Sequence, residues 1–270
     1  LHYPLRRQRQ MCIRDSYWNT FLNSQITYLL RIKDLFGNYE NAMVFLVCLL
    51  NQAYNMKNAN QQISGENTSK IHDSYTSLIS QYTLENSKGF ICDVRNVESI
   101  ENTVNEVVDN FGHPDTFIHN AVRGIRGSFL DFTVRDLQSN FDTNVTSLLR
   151  FSQLLCPKMI ENEKGSVIVT GNTSAHRGKA EFGGTASTKA AQKILTESMA
   201  RYLNPKGVHV AYITIDAAID VPWTREMWPE KPDDYFIDPD DIAKEALHLV
   251  NQNKSAWTFD HWLRPFGEHW

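Results

Sequence analysis

The sequence has no excess of one charge, no long apolar run and no cysteine pair with a metal or redox spacing. It holds 27 Lys and Arg against 31 Asp and Glu, a balance that excludes the basic surface needed for nucleic acid or an anionic membrane. The longest apolar run, residues 42–50, is far shorter than the roughly 20 residues that cross a bilayer. We therefore expect neither a nucleic-acid partner nor a membrane segment.

Cysteine is scarce and scattered. The cysteines, at positions 12, 48, 92 and 156, match no zinc pattern and no Cys-x-x-Cys motif, so no metal site is predicted. Their mostly apolar surroundings favour buried free thiols, which are typical of a reducing compartment. This pattern indicates a cytoplasmic protein.

Regular periodicity is missing from the first third of the chain. The chain opens with Leu1 rather than Met, which suggests a fragment. Residues 6–16 resemble a translated sequencing adapter, so we interpret residues 1–16 as non-native, the alternative being a genuine basic arm. Residues 17–88 are rich in Asn, Gln, Ser and Tyr. Two interpretations stay open for them: a divergent first part of a domain, or a misframed sequence.

From Gly89 onward, strand and helix patterns alternate. Short apolar runs predict strands at residues 89–94, 116–121, 165–170, 207–216 and 255–263. Capping residues and apolar positions at helical spacing predict helices that begin at or just after Asn96, Thr133, Phe182 and Asp238. Strands that alternate with helices are typical of βαβ units on a parallel sheet.

This order of elements predicts an α/β fold with a Rossmann-like, doubly wound parallel sheet and helices on both faces. It occupies a single domain over residues 89–270, and its first βα unit is degenerate or missing. Right-handed crossovers place the carboxyl ends of parallel strands at one edge of the sheet, where such folds bind ligands. We therefore expect Asp93, Asn120 and Asp216, which follow predicted strands, to lie at that edge.

Several short motifs occur in the order and spacing of one enzyme family. They are Asp93 after a strand, Asn120-Ala121 after the next, Asn144 within a helix that it should kink, Lys189 among small residues, and the run from Asn204 to Val210. Together these motifs resemble the short-chain dehydrogenase/reductase family from Gly89 to the end of the chain. The resemblance implies an NAD(P)-dependent oxidoreductase that moves a hydride to or from a carbonyl or alcohol carbon.

The resemblance also implies roles for individual residues. Cofactor contacts fall on Asp93, Val94, Asn120, Ala121, Lys189, Asp216 and Ile219. Catalytic positions fall on Asn144, Asn172, Thr185 and Lys189. The implied cofactor is NAD or NADP, and the implied substrate is a small carbonyl or alcohol compound. The protein is expected to form a homodimer or homotetramer.

Two departures from the family pattern bear on the chemistry. The family uses a Tyr four residues before the Lys as its acid/base, whereas this chain has Thr185, whose hydroxyl is far less acidic than a phenol. The family's Gly-rich phosphate loop has no counterpart before Gly89, where the only glycines are Gly37 and Gly65. Because that loop brings the backbone close to the pyrophosphate, its loss puts dinucleotide binding in doubt.

Two functions are compatible with these observations. The first is an oxidoreductase with impaired catalysis, in which Asn172 replaces the strand-end Ser that polarises the substrate oxygen. In this function His176 is a hypothetical substitute acid/base, the alternative being a solvated loop histidine. The second function is that of a non-catalytic Rossmann-like protein that binds a ligand or dimerises.

Overall fold

A computed structural model of the protein describes Phe90 and residues 92–268. The predictions for residues 1–16 and 17–88, and for the first βα unit, lie outside these described residues. Over the described part of the chain, no helix is long and apolar enough to cross a membrane.

The described residues contain six strands. They are β1 (Thr116–His119), β2 (Gly165–Asn172), β3 (Val208–Ile215), β4 (Ala218–Ile219), β5 (Phe236–Ile237) and β6 (Asp260–Leu263). The central sheet is parallel throughout and has the spatial order β1-β2-β3-β6. The short strands β4 and β5 pair with each other, also in parallel, outside that sheet.

Six α-helices connect these strands within the described residues. They are α1 (Val97–Phe111), α2 (Val134–Phe141), α3 (Ser147–Glu161), α4 (Gly183–Leu203), α5 (Pro222–Met227) and α6 (Pro239–Val250). A π-helical turn, Asp142–Thr146, joins α2 to α3. The single long helix predicted from Thr133 is therefore divided in two.

Helices cover both faces of the sheet, as the sequence predicted. On one face, α1, α3 and α4 pack on the strands through an apolar cluster that includes Phe151 and Val169. On the other face, α6 packs through a cluster that includes Ile168 and Ile242. Adjacent residues of β2 thus face opposite clusters, which is the two-residue alternation of a strand. Each such side chain contributes about 1.5–3 kcal/mol when fully buried.

Helices begin at the capping residues identified from the sequence. Asn96 accepts two backbone N–H groups at the start of α1, and Gly112, at φ +79°, ends that helix. Thr133 and Asp136 cap α2 reciprocally, and Asp238 caps α6. Caps of this kind are worth about 0.5–2 kcal/mol each. The predicted helix starts at these three caps are confirmed.

Two predicted strands are wrong in extent. Phe90 and residues 92–95 contain no strand, because the Asp93 carboxylate accepts the backbone N–H of Arg95 and forms a turn. The last strand begins at Asp260 rather than at residue 255, because Asn253 accepts the N–H of Ser255 and caps a 3-10 turn there.

Candidate active site

The carboxyl ends of the parallel strands meet at one edge of the sheet. Asn120 follows β1, Asn172 ends β2 and Asp216 follows β3, as predicted. Thr170 Oγ1 donates to Asn120 Oδ1 at 2.5 Å, which ties the ends of β1 and β2 together. The candidate site is built around this edge.

Asn144 lies in the π-helical turn and is completely buried. Its side chain pairs with the backbone of Arg123: Oδ1 accepts the Arg123 N–H and Nδ2 donates to the Arg123 carbonyl, both at 2.8 Å. Nδ2 also donates to Thr188 Oγ1 at 2.8 Å. Asn is unfavourable inside helices, and these contacts explain its presence at a local distortion. Asn144 thereby fixes the segment that follows β1.

Lys189 reaches from α4 to the end of β2 and is only 2% exposed. Its Nζ donates to the Thr170 carbonyl at 3.2 Å and to Gln192 Oε1 at 2.8 Å. Both acceptors are neutral. Because burial penalises the ammonium form, the pKa of Lys189 is lowered to about 7. The buried amine therefore loses its proton more readily than an exposed lysine does.

Two buried residues that sequence reasoning missed complete this cluster. Gln192 lies one helical turn after Lys189, and its Nε2 donates to the Asn144 carbonyl at 2.7 Å. The same amide nitrogen lies 3.3 Å from His119 Nδ1. Burial, together with the nearby Lys189, lowers the pKa of His119 to about 3. The spacing of three residues on one helix was the available signal for Gln192, whereas His119 had none beyond its strand.

Thr185 is engaged by the backbone rather than open to a ligand. Its Oγ1 donates to the Ile125 carbonyl at 2.9 Å and accepts the Ile125 N–H at 2.8 Å. Both hydrogen-bonding functions of the hydroxyl are thus occupied by the segment after β1. The catalytic role expected of Thr185 stays a prediction, and in the structure its hydroxyl fixes the backbone at Ile125.

Asn172 and His176 follow the end of β2. Asn172 Oδ1 accepts the N–H of Ser174 at 3.0 Å and caps a 3-10 turn. His176 is exposed; its Nε2 lies 3.1 Å from Thr214 Oγ1 and its ring 4.5 Å from the ring of Trp262. His176 is thus an exposed residue that contacts β3 and β6, and its role as a substitute acid/base stays a hypothesis.

Gly171 packs directly against a buried phenol. The ring and hydroxyl of Tyr212, on β3, occupy the space where a Cβ at position 171 would stand. Tyr212 is completely buried, and its hydroxyl has no hydrogen-bond partner within the described residues. Burial raises its pKa, so the phenol stays neutral. This phenol fills the gap between β2 and β3 on the α4 side of the sheet.

The remaining predicted cofactor residues have other partners in the structure. Asp216 forms ion pairs with Arg264 and, at 3.8 Å, with Arg177. Ile219 belongs to β4 and pairs with Ile237 of β5. These contacts place both residues after β3, on the segment that leads to α5.

Asp93, Val94 and Ala121 lie near the start of the described chain. Asp93 forms an ion pair with Arg95 at 3.0 Å, which supports a role in the local turn. The Val94 side chain is buried in the apolar core, and Ala121 packs against that same core. A cofactor contact at Val94 would therefore have to come from its backbone.

Hydrogen bonds connect Lys189 with Asn144 through Gln192, whereas the Asp93 carboxylate contacts Arg95.

Metal chemistry has no support among residues 92–268. No group of three or more His, Cys, Asp or Glu side chains lies close enough there to hold a metal ion. Cys92 and Cys156 are both buried, as expected for these two cysteines. Burial raises the pKa of Cys156 to about 11, so this thiol is unreactive at neutral pH.

The chain belongs to the short-chain dehydrogenase family. The sequence model of that family, described as short chain dehydrogenase, matches residues 50–230. The chain is 34% identical to the 3-oxoacyl-(acyl-carrier-protein) reductase of Vibrio harveyi over 183 residues, which are 64% of this chain and 74% of that protein. It is 25% identical to an uncharacterized oxidoreductase of Staphylococcus aureus over 206 residues, 75% of this chain and 85% of the relative.

Solved structures with the same fold include other short-chain dehydrogenases. One from Streptomyces avermitilis has a TM-score of 0.62 and 22% identity, covering 71% of this chain and 75% of its own. An actinorhodin polyketide ketoreductase with NADPH has a TM-score of 0.64 and 17% identity, covering 73% and 83% of the two chains. These likenesses confirm the Rossmann-like α/β fold that the sequence predicted.

Proposed function

We propose that this protein is an NAD(P)-dependent oxidoreductase that acts on a small carbonyl or alcohol substrate. The observation that carries this proposal is the position of Lys189, held at the end of β2 by neutral acceptors and linked to Asn144 in the π-helical turn. A lysine ammonium that has no anionic partner, at the carboxyl end of a strand, can bind a ribose hydroxyl or a phosphate of a ligand.

The cofactor, NAD or NADP, would supply or accept the hydride when bound. Residues for its binding are proposed at the carboxyl edge of the sheet: Asp93, Val94, Asn120, Ala121, Lys189, Asp216 and Ile219. Lys189 suits this role because its ammonium has no competing carboxylate among its hydrogen-bond acceptors. The solved ketoreductase with NADPH and a metagenomic short-chain oxidoreductase in complex with NADP support a nicotinamide cofactor in general.

The chain's own residues would orient the substrate and stabilise charge on its oxygen. Asn172 can donate from its amide nitrogen to a carbonyl oxygen, since its Oδ1 is the atom that caps the following turn. Asn144 holds the segment after β1 in place. With the Thr185 hydroxyl engaged by Ile125, proton transfer lacks a phenol, and we expect a rate about 10²–10⁴-fold below that of a complete site.

The assembly and surroundings of the protein are also proposals. We propose a homodimer or homotetramer in the cytoplasm, with no nucleic-acid or membrane partner. Leu149 on α3 and Ile194 on α4 are 40% and 64% exposed, and an interface between copies would bury such apolar side chains.

The function is tested by calorimetric titration of the purified full chain with NADH and, separately, with NADPH. We expect saturable binding of at least one nucleotide and binding weakened by at least about tenfold in Lys189→Met. Thr196→Val is the matched control, because Thr196 is buried on the same helix and its hydroxyl donates to the backbone carbonyl of Gln192. Absence of binding by the parent chain would support the second hypothesis, a non-catalytic Rossmann-like protein.

A further inference from the structure

Gln192 is a fully buried polar side chain to which the proposed function assigns no role. It lies on α4 with an exposure of 0%. Its Oε1 accepts from Lys189 Nζ at 2.8 Å, and its Nε2 donates to the Asn144 carbonyl at 2.7 Å. Every polar atom of this amide is therefore used at the strand edge.

The orientation of the Gln192 amide follows from the hydrogen available at each neighbour. Ser147 Oγ donates its one hydrogen to the Thr143 carbonyl at 2.6 Å. The contact of 2.8 Å between Ser147 Oγ and His119 Nε2 must then be a donation from the ring nitrogen. His119 Nδ1 is left as an acceptor, so the group that faces it has to be the NH₂ of Gln192. The amide oxygen consequently points to Lys189.

The neutral state of His119 preserves this orientation. If His119 Nδ1 were protonated, its N–H would face the NH₂ group of Gln192, and the repulsion between these two donors would favour rotation of the Gln192 amide. The pKa of about 3 keeps the ring neutral over the physiological range. Around Lys189, β2 contributes the neutral Thr170 carbonyl, α4 the neutral Gln192 amide and β1 the neutral His119.

We propose that Gln192 is a positioning residue that fixes the Lys189 amine at the end of β2 and joins it rigidly to the Asn144 carbonyl. This inference rests on the proposed function only where it connects Lys189 to the cofactor. An amide both donates and accepts hydrogen bonds, but unlike water or an imidazole it does not readily pass a proton onward. The link between Lys189 and Asn144 is therefore an anchor and not a proton path.

Substitutions at Gln192 should shift the titration of Lys189 in opposite directions. Gln192→Glu places a carboxylate beside the amine and should raise its pKa by at least one pH unit. Gln192→Leu removes an acceptor of the charged form and should lower its pKa. Thr196→Val should leave the titration unchanged. The readout is NMR of the full chain with ¹³C-labelled lysine, with the Lys189 signal assigned by its loss in Lys189→Met.

Nucleotide binding separates this inference from the proposed function. If NADH and NADPH fail to bind the parent chain while the two variants still shift Lys189 oppositely, the proposed function fails and the positioning role stands. If the nucleotides bind but Gln192→Glu and Gln192→Leu titrate like Thr196→Val, the positioning role is overturned.

A measurement on the unaltered chain keeps the proposal testable if the variants do not fold. The ¹⁵N shifts of His119 should report a neutral ring with its proton on Nε2. A proton on Nδ1 would reverse the Gln192 amide and contradict the proposal.

Discussion

Two buried histidines at opposite ends of the sheet have hydrogen-bond partners of different chemistry. His119, at the carboxyl end of β1, lies between a hydroxyl and an amide, and a neutral ring satisfies both contacts. His209, near the amino end of β3, lies 2.9 Å from the Leu249 carbonyl and 3.0 Å from the Thr258 carbonyl. Two carbonyls call for two N–H donors, which only the protonated ring has.

The difference shows that the hydrogen-bond partners of a buried histidine, and not burial alone, decide which protonation state of the ring satisfies its contacts. Burial lowers the pKa of both rings. At His119 the nearby Lys189 lowers it further, whereas at His209 the two carbonyls raise it in part. His209 also stacks on Trp257, with ring planes 5° apart and centroids at 4.8 Å. The pKa of both rings is lowered by burial, and only at His209 do two carbonyls from other segments offset part of that lowering.

Lys189→Met should produce the largest change in the pH dependence of stability. It removes the buried amine beside His119, and the fold lowers the pKa of that amine to about 7. The pKa of Lys189 is about 7 in the fold, against 10.5 ordinarily, so the unfolded chain binds more protons between these values. The contribution of Lys189 to stability should therefore rise by roughly 3–5 kcal/mol from pH 7 to pH 10.5, and the variant should lack this contribution. The raised pKa values of Cys156 and Tyr212 lower stability near the top of this range in both proteins, so the difference between parent and variant is the quantity compared. Urea unfolding across this pH range measures it, with Lys179→Met, at an exposed position, as the control. A parent-like slope in Lys189→Met would contradict the assignment.

His119→Leu should have the next largest effect, since Ser147 and Gln192 each lose the hydrogen bond to the ring in a buried site, while their other partners remain. We expect a loss of roughly 2–4 kcal/mol at pH 7. In the parent, the stability due to His119 is complete above pH 6.5 and is lost as the pH falls toward its folded pKa of about 3. Unfolding at pH 7 and pH 5 should reveal this acid sensitivity in the parent and a smaller sensitivity in the variant, which keeps the lowered pKa values of His176 and His209. His113→Leu, at an exposed position, should retain the sensitivity.

The smallest effect is expected at His209. Its NMR titration should have a midpoint below the ordinary 6.5 but above that of His119, because two carbonyls stabilise the cation. His209→Leu should cost about 1–2 kcal/mol, since it removes the contacts to α6 and to the segment before β6. A His209 midpoint at or below that of His119 would remove the contrast between the two ends.

Much of the fold could be predicted because its signals are local in the sequence. Asn96, Thr133 and Asp238 cap helices through atoms two or three residues away, so each cap could be recognised from neighbouring letters. The strand predicted at residues 89–94 is absent from Phe90 and residues 92–94 for a local reason as well. Asp93 pairs with Arg95, and this turn prevails over an apolar run.

The candidate site was predictable only in part, because its contacts join distant segments. Lys189 and Asn144 were found by resemblance, but their connection through Gln192 spans 48 residues from Gln192 to Asn144. Thr185 binds Ile125 across 60 residues, and this clamp has no signature in either segment. Which ring nitrogen of His119 carries the proton depends on Ser147, which lies on α3, another element of the fold. The catalytic and cofactor roles of individual residues stay predictions.

The packing of Tyr212 against Gly171 limits how this strand end can change during evolution or engineering. Any larger residue at position 171 would need the volume that the phenol holds. A serine, or any other hydroxyl-bearing side chain, could therefore be introduced there only together with a smaller residue at position 212. The two positions should vary as a pair, and a library randomised at position 171 alone should return mostly glycine.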